Sequence, residues 1–342
     1  MPPRPADASA AAAGGHRRLA RLLTAVENDP RAAAEVVHGV WARTGGTRRI
    51  GITGPPGVGK STLVDHLIAL ARASGLTVAV LAVDPSSPFS GGAILGDRVR
   101  MLRHSGDTGV YIRSMAARGH LGGLAAATRD AAYVLDASNF DVLLLETVGV
   151  GQSELDVMRV ADTVVVVTAP GLGDSVQTLK AGILEIADLL VVNKADRPGA
   201  NATVLQLREM RHLGPQAPGW DVPIVSTVAS NGTGLPELWQ AIQRHWEYLR
   251  TSGELDAKRS RRIEREVMAL VERALAARVR STLGEHAALG ALLQQAKDGT
   301  LDPHTAADAI LAGLFPDPPG RARGTAGTEG RSAASGEEPR GG

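Results

Sequence analysis

"GITGPPGVGKST", residues 51–62, leaves a short β-branched run, crosses three further glycines and ends on a lysine and two hydroxyls. Gly54, Gly59, Lys60 and Ser61 satisfy the spacing G-x-x-x-x-G-K-[ST]. Glycines at these positions let backbone N–H groups converge on phosphate oxygens, the lysine reaches the terminal phosphates, and the serine hydroxyl is a hard oxygen ligand for Mg²⁺. A helix that starts at the lysine points its positive end at the same anion. The pattern predicts a nucleoside triphosphate site in which Gly54, Pro55, Pro56, Gly57, Val58, Gly59, Lys60, Ser61 and Thr62 hold the phosphates.

Outward from this loop, residues 48 to about 250 alternate between short apolar runs and helical stretches. Strands are expected at Arg49–Thr53, Val78–Val83, Val142–Glu146, Val164–Thr168, Leu189–Asn193 and Ile224–Thr227. Such alternation makes an α/β fold, a P-loop NTPase G domain with a mostly parallel central sheet covered by helices on both faces. Ligands in sheets of this kind sit beyond the carboxyl ends of the strands, where the loop also falls. Helical extensions are expected on both sides. Leu19, Leu22, Leu23 and Val26 recur at helical spacing in residues 16–47, with Asp29-Pro30 as a break. Residues 251–315 form the C-terminal extension, in which Ile263, Val267, Leu270, Val271, Leu275 and Val279 make one apolar stripe. Periodicity allows two readings of that stripe, packing back on the core or serving as a dimer arm. The Pro/Ala/Gly-rich residues 1–15 and the Gly/Pro/Ser/Arg/Glu-rich residues 316–342 are expected to be disordered.

Composition narrows the function classes. The chain's 37 Lys+Arg against 36 Asp+Glu give no excess of charge for nucleic acid. No run is apolar over a membrane-spanning length and no charged-then-apolar leader is visible, so the expected location is the cytoplasm, with no membrane partner. The absence of cysteine excludes disulfides, thiolate metal sites and cysteine nucleophiles. Lysine occurs only at 60, 180, 194, 258 and 297, so a lysine in this arginine-rich chain marks a place where a compact ammonium is wanted.

"VVNKAD" places Asn193, Lys194 and Asp196 directly after an apolar run. In N-K-x-D one carboxylate accepts from both N1–H and the 2-amino group of guanine, a pair adenine lacks, so a wrong base leaves it unsatisfied. Asn193 is expected to meet N7 and the neighbouring loop, and the Lys194 stem to lie on the purine face. In "STVASNGTG" the backbone of Val228, Ala229 and Ser230 is placed to contact the guanine carbonyl. The ligand read from these residues is GTP or GDP, with Mg²⁺.

Oxygen ligands for Mg²⁺ are expected from Ser61, Asp84 at a strand end, Asp97 in "GGAILGDRVRM" and Glu146 in "LLLETVGVGQ". The catalytic set is Lys60, Asp97, Glu146 and Lys180, the last in the glycine-rich segment "PGLGDSVQTLK" together with Asp174. Val150 stands where a water-orienting glutamine is common, so intrinsic hydrolysis is expected to be slow and completed by a partner, with Gln152 as the alternative. "YIRSMAARGHLGGL", residues 111–124, reads as a working loop around Arg113, Arg118 and His120.

Together, "GPPGVGKST", "VLAVDPSSPFSGGAILGDRVRM", "IRSMAARGHLGGL", "LLLETVGVGQSE" and "VNKAD" resemble the methylmalonyl-CoA mutase-associated G proteins, the MeaB/ArgK group, from about residue 16 to 285. The resemblance implies a homodimeric GTPase whose C-terminal arm dimerises. It implies as partners an adenosylcobalamin-dependent acyl-CoA mutase, whose cofactor loading it gates and which it protects, and a cobalamin adenosyltransferase. It also implies that Ser61, Asp84, Asp97 and Glu146 form the Mg²⁺ and hydrolysis cluster and that residues 170–180 transmit nucleotide state. Two other classes compete. A nickel-inserting metallochaperone GTPase needs soft or imidazole ligands, and this chain has no cysteine and singly scattered histidines. A transport-accessory kinase needs a substrate-phosphorylation element, and none is visible.

Overall fold

The computed structural model describes residues 8–85, 102–104, 106–117, 123–147, 155, 158–171, 184–213 and 219–315. Among them the elements run α1 (Ala8–Asn28), α2 (Pro30–Val40), β1 (Arg48–Thr53), α3 (Lys60–Ala73), β2 (Val78–Pro85), β3 (Val110–Ala117) and α4 (Gly123–Asp136). There follow β4 (Val142–Thr147), β5 (Thr163–Thr168), β6 (Leu189–Val192), α5 (Ala200–Leu213), β7 (Ile224–Ser226) and α6 (Leu235–Ser252). The chain ends in α7 (Glu254–Glu285), α8 (Ala287–Lys297) and α9 (Pro303–Leu314). Each of the six strands read from the sequence forms within two residues of its expected bounds. The described strands make one parallel sheet in the order β3-β2-β4-β1-β5-β6-β7, which puts the strand feeding the phosphate loop at its centre, between β4 and β5.

Both faces of the sheet are buried, which is why its central strands read as continuous apolar runs. On one face Ile50, Ile52, Val80, Leu144, Val165 and Val191 pack against Leu63, Val64 and Leu67 of α3 and Leu238 and Ile242 of α6. On the other, Leu81, Leu143, Leu145, Val164 and Val166 meet Leu19, Leu23 and Val26 of α1 and Ala131, Val134 and Leu135 of α4. The break at Asp29 is as expected: its carboxylate accepts from Arg31 N at 2.8 Å and Pro30 opens α2.

Two expectations are corrected. Residues 111–117, read as the start of a working loop, belong to the edge strand β3, paired with β2 from Val78↔Val110 to Pro85↔Ala117. Arg113 and Ser114 hide it by breaking the apolar run. Arg113 is accommodated because its Nη2 donates to Glu27 Oε2 at 2.6 Å, across to α1. Second, α1 begins at Ala8, within the segment expected to be disordered, where a run of alanines supplies helix propensity.

The chain divides into two compact units, residues 1–263 and 264–342. In the second, Leu289 of α8 and Ala306 and Ile310 of α9 are buried, and Asp302 caps α9 through His304 N and Thr305 N, both at 3.0 Å. Along α7 the apolar stripe is exposed, Ile263, Val267, Leu270, Val271 and Leu275 at 40–51 %. Its first turns are charged and held tightly instead. The Asp162 carboxylate, 0 % exposed, accepts from Arg262 Nη2 at 2.7 Å, from Arg259 Nη2 at 2.8 Å and from Arg49 N at 3.1 Å. Arg259 also donates to Gly45 O and Thr47 O at 2.6 and 3.0 Å, and Lys258 reaches Asp162 O and Asp188 Oδ2 at 2.7 and 2.9 Å. Burial alone would raise the Asp162 pKa; the Arg259 hydrogen bonds and the charges of Arg262, Arg259 and Arg49 overcome it and hold it at about 2.

His245 of α6 lies beside this cluster, with Nδ1 2.9 Å from Thr163 Oγ1 and Nε2 3.4 Å from Asp188 Oδ1. Burial lowers its pKa to about 4, more than the Asp188 charge raises it. The imidazole is therefore neutral in the fold, and its contribution is complete above an unfolded value near 6.5 and is lost as pH falls toward 4. Urea denaturation should show about 3 kcal/mol of stability lost over that interval, and the loss should largely disappear in His245→Gln. An equal slope in both proteins would assign the acid lability elsewhere. Among the described residues no helix is long and apolar enough to cross a membrane.

Candidate functional site

The sequence leaves β1 at Thr53 and must turn within six residues into α3. Gly54 makes the first part of the turn at φ +145, and a Cβ there would lie 2.0 Å from Val167 O, so the loop is pressed against β5. Gly59, at φ +95, is the last residue before the helix; a Cβ on it would meet Asn193 Nδ2 at 2.5 Å. Both positions therefore exclude any side chain on steric as well as torsional grounds. Lys60 opens α3 and folds back, donating from Nζ to Gly54 O at 2.8 Å and Pro55 O at 3.0 Å. The N-terminus of α3, with its positive dipole end, thus stands at the end of the loop.

Parallel pairing brings the second element of the site to the first. Glu146 is in register with Ile52, and its Oε1 accepts from Ser61 Oγ at 2.6 Å, both residues being buried. Immediately after them Thr147 Oγ1 donates to Thr53 Oγ1 at 3.0 Å, so the ends of β4 and β1 are joined through side chains as well. A hydroxyl and a carboxylate sharing one edge of a phosphate loop are an all-oxygen donor set, which fits a hard divalent cation such as Mg²⁺. Asp84 lies at the same carboxyl edge, two residues beyond Ala82, the β2 partner of Glu146. Its side chain, and all of Asp97, Lys180, Val150, Gln152, Asp174, Arg118 and His120, lie outside the described residues.

The base-recognition residues follow β6. Asn193 donates from Nδ2 to Val58 O at 2.7 Å, and its Oδ1 accepts from Thr227 Oγ1 and Ala229 N, both at 3.0 Å. It therefore ties the phosphate loop to the loop after β7, which agrees with the loop contact read for it. Ala229 differs from expectation, because its N–H is directed to Asn193 and not left for the guanine carbonyl. Val228 holds the shape of that second loop through its N–H on Thr233 O at 2.9 Å, and Ser230 is exposed at its tip. Lys194 takes φ +57, in the left-handed region, and Nζ reaches Gly57 O at 2.6 Å, which lays its stem across the site. Asp196 is exposed in the following turn, with its carboxylate available to a ligand. Thr227, buried and joined to Asn193, was missed in the sequence; a hydroxyl directly after the last strand was the available signal. Along one carboxyl edge of the sheet the arrangement therefore offers a glycine loop with an ammonium at β1/α3 and an exposed carboxylate after β6, groups that can meet phosphates and a guanine base.

Comparisons with known proteins agree with this geometry. The family model described as methylmalonyl Co-A mutase-associated GTPase MeaB matches residues 19–283. The chain is 51 % identical over 301 residues to a Pyrococcus abyssi protein named as a GTPase, covering 87 % of this chain and 93 % of that one. It is 34 % identical over 269 residues to the mouse protein named methylmalonic aciduria type A homolog, mitochondrial, covering 78 % of this chain and 65 % of that one. Its fold is similar, with TM-score 0.66 and 27 % identity, to the crystal structure of a LAO/AO transport system kinase, over 90 % of this chain and 98 % of the other. A phosphate loop, a guanine-reading loop and a family match extending across both lead to one assignment: the chain belongs to the MeaB family of methylmalonyl Co-A mutase-associated GTPases.

Proposed function

We propose that this GTPase acts as a nucleotide-dependent chaperone of an adenosylcobalamin-dependent acyl-CoA mutase, methylmalonyl-CoA mutase or a close relative. It gates loading of the cofactor, delivered by a cobalamin adenosyltransferase, and protects the mutase afterwards. The observation that carries this reading is the reach of the family match. It spans residues 19–283 and so includes the second half of α1, all of α2 and nearly all of α7, elements a nucleotide site alone does not need. The mouse relative's name supports the same client chemistry.

The remaining parts of the reading follow from the chain's own residues. Homodimerisation through α7 is supported by its exposed apolar stripe, an unusual length of apolar surface for a helix left in water. Ser61, Glu146, Asp84 and Asp97 would hold Mg²⁺, which supplies charge neutralisation between the terminal phosphates. Lys60 and Lys180 would add positive charge there. With Val150 in place of a water-orienting glutamine, hydrolysis by the free protein is slow and the partner completes the site. The inferred setting is the cytoplasm.

GTP turnover by the full chain, alone and with each candidate mutase, tests the proposal. One mutase should raise turnover about tenfold or more, the usual scale for ordering a catalytic loop. Turnover that no mutase changes would leave a GTPase without the assigned client.

A further inference from the structure

The last two residues of β4 point to opposite faces of the sheet. Glu146 shares the α3 face with Leu144, and its Oε1 accepts from Ser61 Oγ at 2.6 Å. Thr147 shares the α1/α4 face with Leu143 and Leu145 and is 0 % exposed. Its hydroxyl donates to Thr53 Oγ1 at 3.0 Å, and Thr53, the last residue of β1, is buried as well. The phosphate side and the hydroxyl pair thus lie on either side of one strand end.

Backbone pairing explains what the hydroxyls do there. Register between β1 and β4 ends at Ile52↔Glu146, whereas β1 stays with β5 as far as Thr53↔Val166. Gly54 then turns the chain against Val167 O of β5, away from β4. The end of β4 therefore has no further rung on β1, directly after the residue whose carboxylate meets Ser61. The Thr147–Thr53 bond supplies that rung from side chains. On its other side Thr147 stands opposite Val83 of β2, whose side chain offers no acceptor. A buried hydroxyl is costly to leave unbonded, so Thr147 is held within reach of Thr53. One planar peptide separates it from the Glu146 Cα, so fixing one residue fixes the other. The precision matters, because a displacement of about 1 Å at a reacting site can cost about 100-fold in rate.

We infer that Thr147 is a positioning residue for GTP hydrolysis: its hydroxyl, held by Thr53, sets the end of β4 and so keeps the Glu146 carboxylate on Ser61, where the pair can take Mg²⁺. This rests on reading Ser61 and Glu146 as Mg²⁺ donors, and it is independent of any mutase.

The test titrates Mg²⁺ into the full chain carrying a fluorescent GDP, with single-turnover GTP hydrolysis measured beside it. Thr147→Val keeps the shape and removes the hydroxyl. It is expected to weaken Mg²⁺ binding about tenfold and to slow hydrolysis about as much, the low end of the range for groups that orient a metal ligand. GDP affinity without Mg²⁺ should stay within about twofold. Thr147→Ser, which keeps the hydroxyl and loses the methyl, should stay near the parent in both readouts. Thr53→Val should reproduce the defect, and the double variant should be no slower than the slower single one, because both remove one connection. Glu146→Gln separates this inference from the reading beneath it. Weaker Mg²⁺ binding in Glu146→Gln with parental binding in Thr147→Val overturns the positioning role alone; parental binding in both overturns the Mg²⁺ reading as well. A defect in Thr147→Ser equal to that in Thr147→Val would assign the residue to packing and overturn the inference too. Thr53→Val keeps the test decisive if Thr147→Val folds poorly.

Discussion

Asp162→Ala is expected to destabilise the protein by about 3–5 kcal/mol, the range for removing one partner of a buried charge network. The deleted carboxylate is wholly buried and takes both Arg259 and Arg262, so the substitution leaves guanidinium groups in the interior with their principal acceptor gone. Thermal unfolding should fall by about 10 °C on the scaling for a domain of this size. Asp162→Asn should recover little, because an amide matches the shape and loses the charge that Arg262 needs. A melting temperature within a degree or two of the parent would mean that water or a rearranged Asp136 replaces Asp162. The same carboxylate gives the protein its second acid step. Its folded pKa of about 2 lies below the unfolded value of 3.8, so its contribution is present above 3.8 and is lost as pH falls toward 2. That interval begins below the one in which His245 titrates, and the two losses should be separable in a pH series.

Lys60→Ala is expected to lower GTP turnover about 100-fold or more, the scale for removing one preorganised charge from a transition state. The side chain has two tasks. Its ammonium staples the loop through Gly54 O and Pro55 O, and on binding nucleotide those neutral acceptors can be exchanged for phosphate oxygens without moving the backbone. Lys60→Arg should restore little, because a planar fork cannot occupy a place shaped for a compact ammonium between two carbonyls. Single-turnover hydrolysis with GDP binding as the control separates the tasks: a defect in chemistry spares GDP, whereas a collapsed loop loses both. Turnover within threefold of the parent would assign the catalytic charge to another residue.

How much of this could be read in advance depended on how local the cause was. The phosphate loop was legible because its conformation is enforced by its own glycines and by the helix it starts. The central strands were legible because burial on both faces leaves little choice but apolar residues. β3 was not, since an edge strand can carry Arg113 and Ser114 when a helix elsewhere in the chain supplies Glu27. Asn193 and Glu146 were found by motif, but their partners Val58, Thr227 and Ser61 depend on the order of strands in the sheet. The charge cluster at Asp162 was invisible for the same reason. Arg259 and Arg262 look like the solvated side of an amphipathic helix, and only tertiary structure shows Arg262 buried while Val267 and Leu270 of the same helix are exposed.

Gly54 rests on Val167, and Val58 is gripped by Asn193 from 135 residues away. The phosphate loop therefore leaves the ribosome early and is finished late. Until β5 has been inserted beside β1 and β6 beside β5, residues 54–60 have no wall to lie against, and a nascent chain carrying the full motif has no site. Nucleotide cannot act as a template for the first stages of folding; it can only reward the last one, when the sheet closes around β1. A cell short of GTP would then lose this protein late in the folding of its sheet, with more than half of the chain already made.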